Sequence, residues 1–208
     1  MLINDINKLN WNKINGLIPV IIQHKISGQV LMHAFMNKES LKITLMTKKV
    51  TFFSRVRNKL WTKGETTGNY LYVKNIVSDC DKDTLLILVE SIKKTCHLNK
   101  YSCFNYAIAD YTFLYLLEKF LKKCKTHPKQ YSYTFDLYQS GLKRISQKVG
   151  EEAVETIIAA NHNNKKETIE ETADLFYHLL VLLQKQNINF DNVIQILKER
   201  NFKNSLKE

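Results

Sequence analysis

Apolar positions change period along the chain. Residues 17–105 carry short apolar runs rich in Ile, Val, Tyr and Phe: LIPVIIQH, VLMHAFM, VTFFSRV, NYLYVKNIV and TLLILV. Runs of this length and composition predict strands. Between the second and third lies NKESLKITLMTKK, which opens on a cap-like Asn and places Leu41, Ile43, Leu45 and Met46 at helical spacing. From about residue 110 the spacing becomes helical throughout. YTFLYLLEKFLKKCK ends in a basic turn that suits a helix dipole, and Pro128 with its polar neighbours marks a break. GLKRISQKVGEEAVETIIAA sets Leu142, Ile145, Val149, Val154 and Ile157 near one side. NHNNKKE reads as a loop. TIEETADLFYHLLVLLQKQ carries an apolar stripe of Ile169, Thr172, Ala173, Phe176, Leu179, Leu180 and Leu183. DNVIQILKER, with Asp191 as its cap, makes a fourth helix.

The expected fold is therefore an α+β, strand-rich N-terminal domain followed by an all-α helical-bundle C-terminal domain. The boundary falls within 105–115, giving domains of 1–112 and 113–208.

Composition narrows the class. At 44% hydrophobic and 25% charged over 208 residues, the chain matches soluble globular proteins. No apolar run approaches the roughly 20 residues of a membrane-spanning helix. MLINDINKLNWNKING lacks the apolar core of a signal peptide, so the cytoplasm is the expected compartment and no membrane partner is expected. The formal charge is +11. Residues 1–105 carry 16 Lys/Arg against 7 Asp/Glu, and residues 106–208 carry 15 against 13. Such an excess suits a polyanion or a phosphate-rich small substrate. Lys, Asn and Ile, the residues of AT-rich codons, crowd the sequence, so codon drift accounts for the excess equally well.

The thiols and acids are more informative. SDCDKDT places Asp79, Cys80, Asp81 and Asp83 at the end of a strand-like run. Strand alternation would send the three aspartates to one face and Cys80 to the other. Three carboxylates on one face repel unless a cation or a Lys/Arg cluster neutralises them, and oxygen ligands at short spacing suit Mg2+. A solvated acidic turn is the plainer alternative. Cys80 with Cys96 and Cys103 suits a softer ion such as Zn2+. Three thiolates would leave the fourth tetrahedral position open for catalysis, with His97 beside Cys96 as proton carrier. Cys124 reads as a small buried hydrophobe.

SRVRNKLWTKGETTGN interleaves Arg55, Arg57, Lys59 and Lys63 with Trp61, then ends in Gly64, Glu65, Thr66, Thr67, Gly68 and Asn69. Cations beside an aromatic ring suit a phosphorylated nucleotide, with the glycine-bounded hydroxyls on phosphate or ribose. The competing reading is a basic hairpin whose turn needs glycine. Arg55, Arg57, Trp61, Lys63, Glu65, Thr66, Thr67 and Asn69 are the expected substrate-binding residues.

LIPVIIQH, VTFFSRVR, LWTKGETTGN, SDCDKDT, TCH and SCF, in this order across residues 11–104, resemble phosphoribosyl-AMP cyclohydrolase. The resemblance implies zinc on Cys80, Cys96 and Cys103 in a site shared across a dimer, and magnesium on Asp79, Asp81 and Asp83. Two positions depart from the family pattern. Thr67 stands for a serine and keeps the hydroxyl, and Leu98-Asn99 replace a glycine after the Cys-His pair, where Asn accepts a left-handed turn.

In the second half, Glu151, Glu152 and Glu155 lie on one helix, with Glu152 and Glu155 sharing a face. Glu171 and Asp174 are similarly placed on the next. Antiparallel packing would join the two groups, and Mg2+ would relieve their repulsion while accepting phosphate oxygens. Lys148 and Arg144, one and two turns back, suit distal phosphates. A solvated acidic face is the alternative for either group alone.

YQSGLKRISQKVGEEAVETIIAA and EETADLFYHLLVLL resemble phosphoribosyl-ATP pyrophosphohydrolase over roughly 112–200. This implies Mg2+ on Glu152, Glu155, Glu171 and Asp174 with Glu151 assisting, and a bundle completed by dimerisation. The two activities are consecutive steps, and their order resembles the bifunctional enzyme of histidine biosynthesis. The expected chemistry is hydrolysis of phosphoribosyl-ATP to phosphoribosyl-AMP and pyrophosphate, then zinc-assisted opening of the adenine ring at N1–C6. Expected partners are phosphoribosyl nucleotides and a second copy of the chain. A basic zinc module for nucleic acid on a dimerisation bundle is the alternative, but paired acids on two helices would repel nucleic acid.

Overall fold

The computed structural model describes residues 6–91, 94–104, 107, 109–126 and 132–205, with side chains of the last helix described to residue 201. The expected break at Pro128 lies outside the described residues. The chain divides into two compact units, Met1–Phe113 and Leu114–Glu208.

In the first unit, β1 (Ile18–His24), β2 (Val30–Met36), β5 (Leu71–Ser78) and β6 (Leu85–Ser91) form one sheet in the order β2-β1-β6-β5. β1 runs antiparallel to β2 and parallel to β6, and β6 runs antiparallel to β5. Alternation along β1 buries Ile18, Val20, Ile22 and His24, and β6 buries Leu85, Ile87 and Val89. This is the period-2 signature of a sheet with one face on a core. α1 (Lys38–Thr47) covers that core with Leu41. Asn37 caps it in a reciprocal box: its side chain accepts from the Ser40 N–H, while the Ser40 hydroxyl accepts from the Asn37 N–H.

The run VTFFSRV yields a shorter strand than expected. β3 (Thr51–Ser54) turns at residues 55–58 into β4 (Lys59–Thr62), a strand the apolar pattern did not announce because Lys59 and Trp61 alternate with only Leu60. Asn58, at φ 48°, makes the left-handed turn residue.

The second unit is helical: α2 (Asp110–Thr126), α3 (Tyr133–Gln139), α4 (Gly141–Asn161), α5 (Lys165–Lys185) and α6 (Phe190–Ser205). α3 adds a helix to the four expected. Its seven residues are too few to show a helical period, but Ser132 caps it by accepting from the Phe135 N–H. NHNNKKE is mostly helix rather than loop. Asn164 accepts from the Glu167 N–H and so starts α5 within that stretch, leaving residues 162–164 as the connection. Asp191 lies in the first turn of α6 and is not its cap. The buried Glu118 carboxylate of α2 accepts from the Phe190 N–H at 2.6 Å and from Gln184 at 3.0 Å instead. Lys125 donates to the carbonyls of Gln184 and Lys185, closing the end of α5.

This unit has a small core of Leu121, Leu137, Tyr138, Ile145, Leu180 and Val181, with Cys124 packed against it. The apolar stripes of α4 and α5 continue outside it: Leu142, Val154, Ile157, Ile169 and Phe176 are exposed. Among the described residues no helix is long and apolar enough to cross a membrane.

Candidate active sites

The aspartate cluster forms, but by a different device from strand alternation. β5 ends at Ser78, and residues 79–84 make a turn in which Lys82 takes φ 61°. The Asp79 carboxylate accepts from the N–H groups of Asp83 (3.0 Å) and Thr84 (3.1 Å), an Asx-type closure. The turn gathers Asp79, Asp81 and Asp83 so that each offers an oxygen within 4.8 Å of the others. Lys13 pairs with Asp81 at 2.9 Å and also with Asp83. Its ammonium holds the Asp83 carboxyl below its ordinary value. The ammonium therefore offsets part of the charge of the three adjacent carboxylates, through Asp81 and Asp83.

The thiols divide into two places. Cys96 is buried and Cys103 lies beside it. Loss of hydration and the neighbouring Cys96 thiol raise the Cys103 pKa, opposed by the Lys63 ammonium. Cys80 is exposed on the aspartate turn, and the metal-compatible groupings among the described residues of one chain do not join it to the other two. The Cys96–Cys103 loop is anchored on β2. The Cys103 N–H donates to the Leu31 carbonyl (2.8 Å) and the Ser102 hydroxyl to that of Val30 (2.7 Å). Asn99 takes the left-handed conformation, at φ 61°, and its N–H closes on the Cys96 carbonyl at 3.0 Å. His97 is exposed, with Nδ1 4.0 Å from Cys96 Sγ.

The basic cluster is a hairpin and also a cavity. Ser54, Arg57, Lys59 and Trp61 line about 310 Å³, with Trp61 packed on the buried Phe52 ring at 5.0 Å. Arg55 leaves this cavity and lies 3.8 Å over the Phe35 ring. Ser54 and Lys59 join this lining in addition to the expected substrate-binding residues. Their placement follows from the Ser54↔Lys59 and Phe52↔Trp61 pairing, which puts all four on one face. The GETTGN loop follows β4. Glu65 accepts from the Thr62 N–H at 2.9 Å, and Asn69 donates to the Lys94 carbonyl at 3.4 Å, next to the thiol loop. Gly64, at φ +93°, is obligatory because a Cβ there would lie 2.4 Å from the Asn69 carbonyl carbon.

In the helical unit, α4 and α5 form a hairpin, and Glu155 and Glu171 lie equally far from its connection. Glu152, Glu155 and Glu171 each offer an oxygen within 4.8 Å of the others. Asp174 stands outside this tightest group but within electrostatic reach. Partial desolvation, Glu155, Glu152 and Asp174 all push the Glu171 carboxyl above its ordinary value. Crowded carboxylates of this kind are what a hard cation relieves. Glu151 faces away, bound by Arg144 (3.2 Å), Lys148 (3.0 Å) and Gln147 (2.8 Å). Lys148 also binds Glu152 at 2.7 Å, which keeps that carboxyl below its ordinary value. Arg144 and Lys148, expected at distal phosphates, are thus paired with Glu151 and Glu152 while lining a cavity of about 190 Å³ with Tyr133, Asp136, Leu137 and Ser140.

The sequence reading passed over His178. It is 4% exposed, and its Nδ1 lies 3.7 Å from Glu152 Oε1. Its spacing of four from Asp174 was the available signal, hidden within an apolar stretch.

Comparison with known proteins agrees with both halves. Residues 32–105 match the family described as Phosphoribosyl-AMP cyclohydrolase, and residues 114–201 match Phosphoribosyl-ATP pyrophosphohydrolase. The histidine biosynthesis bifunctional protein HisIE of Yersinia pestis is 54% identical over 198 residues, covering 95% of this chain and 97% of its own length. The proteins of that name from Blochmanniella floridana (54% over 197 residues, 92% of each) and Escherichia coli strain K12 (52% over 193 residues, 93% and 95%) are comparably similar. With one family match in each unit and relatives 52–54% identical along nearly the whole chain, the chain belongs to the family of bifunctional histidine-biosynthesis enzymes that join a phosphoribosyl-AMP cyclohydrolase to a phosphoribosyl-ATP pyrophosphohydrolase.

Proposed function

We propose that the two activities run on separate metal-assisted sites, one in each unit, with the functional boundary at residues 112–113, and that the enzyme works in the cytoplasm as a homodimer. The observation that carries this reading is the pairing of two unlike donor sets. One is a thiol pair beside a three-aspartate turn; the other is an all-carboxylate cluster on a helical hairpin.

In the helical unit, Glu152, Glu155, Glu171 and Asp174 would hold Mg2+, with Glu151 assisting by orienting Lys148. The cation would neutralise the substrate triphosphate and polarise the scissile phosphoanhydride. Arg144 and Lys148 border the adjoining cavity and are the groups placed to meet distal phosphates. Cleavage between the α and β phosphates by water then releases pyrophosphate.

In the first unit, Cys96 and Cys103 would hold Zn2+ together with Cys80 of a second copy. This fits the observation that two thiols are neighbours within one chain while the third stands exposed elsewhere. Zinc supplies Lewis acidity and makes water a better nucleophile at neutral pH. Asp79, Asp81 and Asp83 would exchange Lys13 for Mg2+. Arg57, Trp61 and Lys63, together with Arg55, Glu65, Thr66, Thr67 and Asn69, bind the phosphoribosyl nucleotide. His97 carries the proton as C6 is attacked and the N1–C6 bond opens. N1 substitution leaves the ring cationic, so modest Lewis acidity is sufficient.

The homodimer has separate support in the second unit. Its core is small, while Val154, Ile157, Ile158, Ile169 and Phe176 are exposed on two paired helices, a pattern that suits an interface.

Metal content tests the assignment. Cys80→Ser, Cys96→Ser and Cys103→Ser should each lose most zinc and the ring-opening step, while Cys124→Ser keeps both. His97→Asn should retain zinc and slow ring opening by about 10²–10⁴-fold. Full zinc and full rate in Cys103→Ser would refute the thiolate site.

A further inference from the structure

His178 is a polar group almost wholly enclosed in the helical unit, and nothing in the proposed chemistry yet uses it. Its ring is fixed at both nitrogens. Nδ1 lies 2.8 Å from the Asp174 carbonyl oxygen. A carbonyl can only accept, so Nδ1 carries the proton. In the neutral ring Nε2 is then an acceptor, and the Tyr133 hydroxyl donates to it at 2.6 Å. Tyr133 and Tyr177 pack edge-on against the imidazole at centroid distances of 5.9 and 5.3 Å. Tyr177 is itself tied to the Thr134 hydroxyl at 2.7 Å. Neither rotation nor tautomer change is available to the ring without breaking one of these contacts.

The locked Nδ1–H edge lies 3.7 Å from Glu152 Oε1, the oxygen that Lys148 holds at 2.7 Å. Glu152 is 4% exposed, the one buried member of its carboxylate group. The ring edge and the Lys148 ammonium therefore flank one oxygen of a carboxylate that lies within 4.8 Å of those of Glu155 and Glu171. Ligating carboxylates are themselves oriented by such partners, whose loss weakens metal sites.

We propose that His178, held in its Nδ1-protonated tautomer by Tyr133, is a positioning residue that orients Glu152 as a metal ligand. The inference rests on the reading of the α4–α5 carboxylates as a divalent-cation site and adds two side chains to it. It assigns the short helix α3 a role in the chemistry, since Tyr133 is the first residue of α3.

The test is Mn2+ binding to the full chain, followed by the loss of the free-ion resonance, with Glu171→Gln defining by difference the ions held by the carboxylate hairpin. His178→Leu should weaken that class of site by about 10–100-fold. His178→Asn places an amide N–H where Nδ1–H stood and should restore affinity to within about threefold of wild type, whereas His178→Gln, with its N–H displaced, should not. Tyr133→Phe removes only the hydroxyl of a half-exposed side chain and so tests the tautomer lock in a chain that folds. It should weaken Mn2+ binding and raise the Mg2+ concentration needed for pyrophosphate release, with kcat at saturating Mg2+ much less affected. Wild-type affinity in both His178→Leu and Tyr133→Phe would overturn the positioning role while leaving the metal site standing. Equal Asn and Gln variants would overturn the tautomer argument. Absence of any Mn2+ sensitive to Glu171→Gln would overturn the metal reading itself.

Discussion

Glu171 shows how one side chain reports on the crowding of carboxylates around it. Its carboxyl is raised from the ordinary 4.5 by desolvation and by Glu155, Glu152 and Asp174. A raised folded-state value means the native chain binds the proton more tightly than the unfolded one. Stability therefore falls as pH rises from about 4.5 through the raised value, and the penalty is complete above it. On the proposed reading, Mg2+ bound by these carboxylates removes that penalty where it exists. Thermal melting with and without Mg2+ should show a larger upward shift at pH 7 than at pH 4.5. Glu171→Gln should melt higher than wild type in the metal-free state at pH 7 and lose most of the Mg2+ response. A shift equal at both pH values would remove crowding as its cause. Gly64 makes a second residue-scale case. A methyl group there meets Asn69 carbonyl carbon and oxygen and the Tyr70 nitrogen at 2.4–2.5 Å, all backbone atoms that cannot swing aside. Gly64→Ala should lower stability by about 1–3 kcal/mol in urea unfolding and impair ring opening by displacing the GETTGN loop. Unchanged unfolding and rate would mean the loop adapts freely.

At the scale of elements, the α4–α5 hairpin carries both the carboxylate group and a set of exposed apolar residues. The inner side of α4 carries Ile145, Glu152 and Ala159, while Val154, Ile157 and Ile158 are left outside. Ile157→Glu touches little within one chain and should change monomer stability by no more than about 0.5 kcal/mol. In a dimer it places a charge in an apolar interface. Light scattering should show wild type as a dimer and Ile157→Glu as a weakened dimer or a monomer; a monomeric wild type would contradict the assembly proposed here. These helices also show what was legible in the sequence. The long strands and helices could be read because their apolar residues repeat over enough positions to set a period, as in β1, β6, α4 and α5. α3 is too short for that, and so is β4, whose four residues set no period although Trp61 and Thr62 favour strands. The apolar stripe of α4 was legible as a stripe, but a stripe does not say whether its cover comes from the same chain. The aspartate cluster was recognisable from residue type alone. Its construction was not, because a left-handed Lys82 brings together carboxylates that an extended strand would have kept in line. His178 stayed hidden for a related reason. Its partners, Tyr133 and Glu152, are remote in sequence and meet it only through helix packing.

For the whole molecule, the central claim is that one chain holds two chemically independent sites. Their donor sets differ in hardness, and each is drawn from one kind of unit, Met1–Phe113 (with Cys80 from a second copy) or Leu114–Glu208. A lesion in one set of ligands should not reach the other. Phosphoribosyl-ATP and phosphoribosyl-AMP can be supplied separately, with pyrophosphate release and ring opening followed as independent signals. The decisive measurement is the crossed pair of variants, each confirmed folded by its melting curve. Glu155→Gln should abolish pyrophosphate release from phosphoribosyl-ATP while opening supplied phosphoribosyl-AMP at close to the wild-type rate. Cys96→Ser should do the reverse, releasing pyrophosphate normally and accumulating phosphoribosyl-AMP. Loss of both activities in either folded variant would contradict two independent sites.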